Sequence, residues 1–231
     1  MGGNDGFDST FALRPRPSRA DVDHFWSADP APDDLADIFF GPDPGTGCPF
    51  DRIEFIVFRG HMCSAVFLAR AVESAALPAL DQVDAKAFDT EQSWPEWRGS
   101  AELDLVRSDG RAAIEDAQAM ARGAACLTAA AALESLTADL LPDHLAAPGG
   151  GLHRTFVRLL DWIGIDPATR ADVVKCIDVV RQRRNDYAHA LTGSYWASPG
   201  NRPHTSFDLE TYLDTMHRVG AVAVWLESAL P

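Results

Sequence analysis

The chain has 231 residues, of which 46% are apolar, enough for one sizeable core and short for two full domains. Its formal net charge of -14 excludes broad, non-specific affinity for nucleic acid unless basic residues gather locally. The cysteines Cys48, Cys63, Cys126 and Cys176 show neither CxxC spacing nor a dense framework, which excludes a disulfide scaffold and points to buried free thiols in a reducing compartment.

The start, Met1-Gly2-Gly3-Asn4-Asp5-Gly6, lacks the basic and apolar regions of a secretory signal, and Gly6 stands where a myristoylation site needs Ser or Thr. No apolar run is long enough to span a bilayer, so the expectation is a cytoplasmic protein with no membrane partner. The first 49 residues hold seven of the fifteen prolines, with many Asp and Gly and no sustained periodicity. They read as an N-terminal arm, extended or poorly ordered, ahead of a helical domain over residues 50–231.

From Asp51 the pattern changes. Asp51-Arg52-Ile53-Glu54 has the form of a capping box, and apolar residues continue through Phe67, Leu68, Val72 and Leu77 until Pro78, which predicts a first helix ending there. The run from Ile53 to Phe58 also fits a short strand, which leaves the first two turns open. Residues 79–104 read as a long connection, anchored to the core by Trp94 and Trp97. A second, Ala-rich helix is predicted from Asp109 to Leu141, antiparallel to the first, with Glu134 as an edge residue reaching solvent.

Gly149-Gly150-Gly151 opens no phosphate-binding pattern and reads as a turn before a short amphipathic helix, Leu152 to Ile163. A longer helix follows, from Asp166-Pro167 to Leu191, with Pro at its first position and Thr192-Gly193 as its stop. A loop over residues 192–206 leads to a last helix after Ser206. The sum is about five helices, no sheet and no internal repeat: an all-α, antiparallel helical bundle.

Charge is divided unevenly along the chain. Residues 1–149 hold 11 Lys or Arg against 25 Asp or Glu, whereas residues 150–231 hold 9 against 9. Within the neutral part, Arg154, Arg158, Arg170, Lys175, Arg181, Arg183 and Arg184 lie in one short stretch that could form a local basic surface, although solvated helix faces account for most of them singly.

One position in that stretch breaks the pattern. At 100° per residue, Val173, Ile177, Val180, Tyr187 and Leu191 fall in one apolar stripe with Arg184 in its middle. Burying an unpaired charge is costly, so Arg184 must find an acid, reach out to solvent, or lie where the seam meets a second chain and a bound anion. His189 is about 140° around from Arg184, on the face of Arg181 and Asn185. Arg cannot lose its proton and suits phosphate oxygens, while His changes charge near neutral pH.

Arg-x-x-x-x-His alone is expected about 0.5 times by chance in a chain of this composition, and about 0.01 times once Asn must follow the Arg. Arg184-Asn185-Asp186-Tyr187-Ala188-His189 has this form, and the chain resembles the HEPN superfamily, whose motif is Arg, four to six residues, then His. The resemblance implies a metal-independent endoribonuclease, active as a homodimer with a composite cleft between chains. It implies that Arg184 and His189 are the catalytic pair and that Asn185 orients the phosphate. Arg181, Arg183, Lys175, Arg154 and Arg158 are the candidate RNA-binding residues. The toxin subgroup modified on a tyrosine carries Tyr two residues after the His; Leu191 stands there in this chain.

No cofactor is expected, and no metal: His24, His61, His144, His153, His204 and His217 show no HExxH or paired Cys/His spacing. By analogy with the superfamily the biology would be that of a toxin or abortive-infection (phage-defence) effector, with an antitoxin or regulatory protein as a further partner. Two other readings are a non-catalytic HEPN module that dimerises or regulates another protein, and a nucleotide-binding sensor.

Overall fold

A computed structural model describes residues 10–41, 49–145, 150–192 and 207–231, with the side chains of residues 189–192 outside the description. Among the described residues there are six α-helices, three short 3-10 turns and no strand. The helices are α1 (Arg19–Ser27), α2 (Ile53–Ser93), α3 (Ala101–Asp139), α4 (Gly151–Ile163), α5 (Pro167–Thr192) and α6 (Leu209–Ala229). The chain is therefore all-α, as its periodicity implied, and the alternative of a strand over the first turns after Ile53 falls away.

Helices α2 and α3 form an antiparallel hairpin much longer than expected. Pro78 lies inside α2 and does not end it, and the chain stays helical to Ser93. A proline in a helix interior costs about 3 kcal/mol through its missing N–H and its ring. Continuous packing on α3 offsets that cost: a Cβ on Gly110 would strike the Val83 side chain, Arg111 pairs with Asp84 at 3.2 Å, and Glu73 accepts from Gln118 at 2.8 Å and from Arg122 at 2.6 Å. The expected connection over residues 79–104 shrinks to a tight tip with a 3-10 turn at Pro95–Trp97. Trp94 and Trp97 do not anchor it to the core; Trp94 is 55% exposed, and the two rings lie against each other with centroids 6.3 Å apart.

The start of α2 also differs from expectation. Arg52 is the N-cap and makes no side-chain cap. The amides of Asp51 and Arg52 instead both donate to Glu227 Oε1 of α6 at 3.0 Å, so a residue far along the chain does the work assigned to a local capping box. With Pro78 inside it, α2 becomes long and apolar enough to cross a bilayer by length and composition, and 44% of its most apolar stretch is buried in the bundle.

Helices α4, α5 and α6 keep their expected places because their ends are written locally. Gly164 closes α4 in the left-handed region (φ 79°), Asp166 Oδ1 accepts from the amides of Ala168 and Thr169 at the start of α5, and Asp208 caps α6 by accepting from the Thr211 amide at 2.8 Å. Helix α3 packs against α2, α4, α5 and α6 and is the central element. Small residues on it, Ala125, Ala129 and Ala130, are fully buried and let its neighbours approach closely.

Within the N-terminal arm, residues 10–41 hold α1 and the 3-10 turn Asp37–Phe39, and they are anchored on the bundle. Leu35, Ala36, Ile38, Phe39 and Phe40 are buried in the same core as the helices. Arg59 of α2 donates from Nε and Nη2 to the two carboxylate oxygens of Asp37 at 2.8 Å each, and from Nη2 to Asp34 at 2.6 Å. Gly220 of α6 has no room for a side chain, because the carbonyl of Phe39 lies against it. The composition change near residue 49 is thus not a packing boundary. Cys63, Cys126 and Cys176 are buried free thiols; burial pushes the Cys126 thiol up to about 12. Cys48 lies outside the described residues.

Candidate functional site

The apolar stripe of α5 is buried as expected: Val173, Ile177 and Val180 are at or below 1% exposure and Tyr187 at 5%. Tyr187 anchors the C-terminal half of the helix. Its hydroxyl donates to the Met120 carbonyl of α3 at 2.7 Å, its ring meets Phe207 edge-on with centroids 4.8 Å apart, and it occupies the space a side chain at Gly123 would need. Burial pushes its phenol up from the ordinary value.

One turn earlier, Arg184 reaches out of the stripe and donates from Nη1 to Glu134 Oε2 of α3 at 2.7 Å. Of the three ways to accommodate a cation in an apolar seam, an acidic partner in the same chain is the one found. Glu134 therefore does more than reach solvent from an edge: it is paired, with its side chain 29% exposed and that of Arg184 31%. The other donors of the Arg184 guanidinium, Nε and Nη2, have no partner among the described residues, and neither has the half-buried Asn185 side chain.

The neighbouring basic residues do not form one patch. Arg183 turns towards α6, where it donates to Asp214 Oδ2 at 2.6 Å and Thr215 Oγ1 at 2.9 Å. Arg218 holds the same carboxylate at 2.7 Å. Arg183 is only 19% exposed, so its expected role on an RNA-binding face gives way to a role inside the bundle. Arg181 turns to a third side: it donates to Asp178 at 3.2 Å, and Asp178 also accepts from His153 Nδ1 of α4 at 3.0 Å. Three arginines within four positions thus point at three different surroundings, because each step of 100° on α5 faces another neighbour.

Lys175 lies one turn before Asp178 on α5 and is exposed, Arg154 follows His153 on α4 and is exposed, and Arg158 is half-buried one turn further along α4. None of these three has an ion-pair partner among the described residues. Asp178, Arg181 and Asn185 share one face of α5 at spacings of three and four, and the backbone of His189 continues that face by a further four. The His189 side chain lies outside the described residues.

The geometry leaves two separate features on one helix: a guanidinium fixed by a carboxylate, the rest of its fork unpaired among the described residues, and a polar face that carries Asn185 and leads to His189. Five residues along an α-helix rise about 7.5 Å and turn about 140°. Sequence reasoning missed Glu134 as a member of this site. Its only signal was a lone carboxylate among apolar residues of the Ala-rich helix, matched by a lone cation in the stripe of α5. Among the described residues no group of His, Cys, Asp and Glu could hold a metal ion.

Fold and site together define an all-α bundle protein with an Arg-Asn-x-x-x-His sequence on its penultimate helix. No family model matches the chain, and no curated protein or solved structure is found to be similar to it.

Proposed function

We propose that the chain is a metal-independent endoribonuclease of HEPN type that works as a homodimer. The observation that carries this reading is the Arg184-to-His189 sequence near the end of a long helix in an all-α bundle, with Arg184 fixed by Glu134 and its other donors without a partner among the described residues. In the proposed reaction the 2′-oxygen of a ribose attacks the adjacent phosphorus. The bond from phosphorus to the 5′-oxygen breaks, leaving a 2′,3′-cyclic phosphate on one product and a 5′-hydroxyl on the other. His189 takes the proton from the 2′-hydroxyl and returns one to the leaving oxygen, while Arg184 stabilises the negative charge that builds on the phosphoryl oxygens. Asn185 orients the phosphate, and Arg181, Lys175, Arg154 and Arg158 meet the backbone on either side.

A carboxylate behind a guanidinium is a useful arrangement for this chemistry. It fixes the plane of the fork and removes the entropy cost of ordering a long side chain when substrate arrives. The about 140° between Arg184 and His189 favours a cleft completed by the second chain. On that basis the biology is that of a toxin or abortive-infection effector, held in check by an antitoxin or other regulatory protein in the cytoplasm.

The ion pair with Glu134 also favours a second reading, in which Arg184 is a structural residue and the bundle is a non-catalytic dimerisation or regulatory module. Incubation of purified protein with total RNA and a chelator, beside Arg184→Ala and His189→Ala, separates the two. The nuclease reading expects cleavage that both substitutions abolish; cleavage that is absent or indifferent to them favours the module. A nucleotide-binding sensor would instead show a nucleotide-dependent rise in melting temperature without turnover.

A further inference from the structure

A cavity of about 1130 Å³ lies between the N-terminal arm and α6, large enough for a small organic molecule. Its floor is apolar, made by Phe25 of α1, Ile38 and Phe39 of the 3-10 turn, and Val224 and Trp225 of α6. Residues 10–17 pass over it as a strap pinned at three points. Phe11 meets Trp225 edge-on with centroids 5.7 Å apart, His217 Nε2 donates to the Arg14 carbonyl at 2.8 Å, and Arg16 pairs with Glu210.

The polar groups on the wall divide into committed and free. Arg16 is engaged by Glu210, and the Asp21 carboxylate accepts from the Ser18 amide and hydroxyl at 2.8 and 2.7 Å. His217 is engaged by the strap itself. The guanidinium of Arg14 and the imidazole of His24 also line the cavity, and neither makes a hydrogen bond or ion pair among the described residues. Arg14 is an exposed residue, and no carboxylate among the described residues pairs with it.

We propose that this cavity binds a small organic anion whose ring-sized apolar body seats against Phe25, Phe39 and Trp225 and whose acidic group meets Arg14 and His24. The apolar floor supplies affinity through buried area, and the Arg14 guanidinium selects the charge, with the His24 ring offering a further N–H. Such a ligand touches the strap and α6 together, so occupancy and arm docking rise together. None of its residues lies on α5, and the proposal stands apart from the ribonuclease reading.

The test is a fluorescence titration of the full chain with 1-anilinonaphthalene-8-sulfonate, which joins an aromatic body to an anion. One saturable site is expected, weakened about tenfold in Arg14→Ala and lost in Ala221→Trp, whose indole would fill the cavity. The uncharged N-phenyl-1-naphthylamine should bind the wild type more weakly than the sulfonate does and be indifferent to Arg14→Ala. This comparison decides the matter even where Ala221→Trp does not fold. The double variant Phe67→Ser, Leu68→Ser, which removes apolar side chains from the exposed face of α2, should bind as the wild type does. Equal binding of the sulfonate by wild type and Arg14→Ala, or its loss in the α2 variant, would overturn the proposal.

Discussion

At the scale of single residues, Arg184 shows how far a sequence can be read. Its position in an apolar stripe required an acid, a route to solvent or a bound anion at a second chain, and that much followed from the cost of a buried charge. That the partner is Glu134 depends on how α5 crosses α3, which no periodicity within α5 encodes. Glu134 is now expected to position Arg184: Glu134→Gln should lower kcat for RNA cleavage on the order of 10- to 100-fold with KM and melting temperature little changed. A parallel loss of thermal stability with no selective effect on kcat would instead make the pair structural. At Gly123 the ring of Tyr187 fills the space of a side chain. Gly123→Ala should therefore destabilise the fold by about 1–3 kcal/mol in a denaturant titration, and unchanged stability would show that the ring moves aside.

At the scale of elements, the helices legible in the sequence were those with local end signals. Gly164, the Asp166-Pro167 start and Asp208 placed α4, α5 and α6 within a few residues. The hairpin of α2 and α3 was misread because Pro78 is a stop signal only when nothing else holds the helix, and α3 holds it along its whole length. Pro78→Ala should accordingly raise stability by about 1–3 kcal/mol in chemical denaturation, a gain that is absent if the helix has relaxed around the ring. The packing of residues 35–40 was not legible for a related reason: the Pro, Asp and Gly content around them hides a short apolar run, Leu35 to Phe40, and a buried Asp37 that pairs with Arg59. Arg59→Ala leaves Asp37 buried without its cation and should cost about 3–5 kcal/mol, measured as a lower denaturation midpoint.

At the scale of the whole molecule, acid should undo the packing around α6 in two stages. Burial pushes the His217 imidazole below its ordinary 6.5. The unfolded chain therefore takes up that proton first, and stability present above pH 6.5 is lost as the pH falls through the lower folded value. Burial alone would raise the Asp214 carboxyl, but the hydrogen bonds from Arg218 and Arg183 outweigh it and hold it below 3.8. Its contribution is present above 3.8 and is lost at lower pH. Melting temperature against pH should fall in both ranges, and His217→Gln should flatten the upper one.

A homodimer with composite clefts makes its own demand. Equal mixing of Arg184→Ala and His189→Ala chains should restore about a quarter of the active sites, since one cleft in each mixed dimer draws both residues from intact copies. Sites complete within one chain would give no recovery. The central claim, that Arg184 and His189 direct RNA cleavage through the ribose 2′-hydroxyl, is tested most directly by end-group analysis of RNA cut in the presence of a chelator. The expected products carry 2′,3′-cyclic phosphate and 5′-hydroxyl ends, vanish in both single variants, and do not form from an all-deoxy strand. Cleavage of the deoxy strand, or 5′-phosphate ends that persist in His189→Ala, would contradict it.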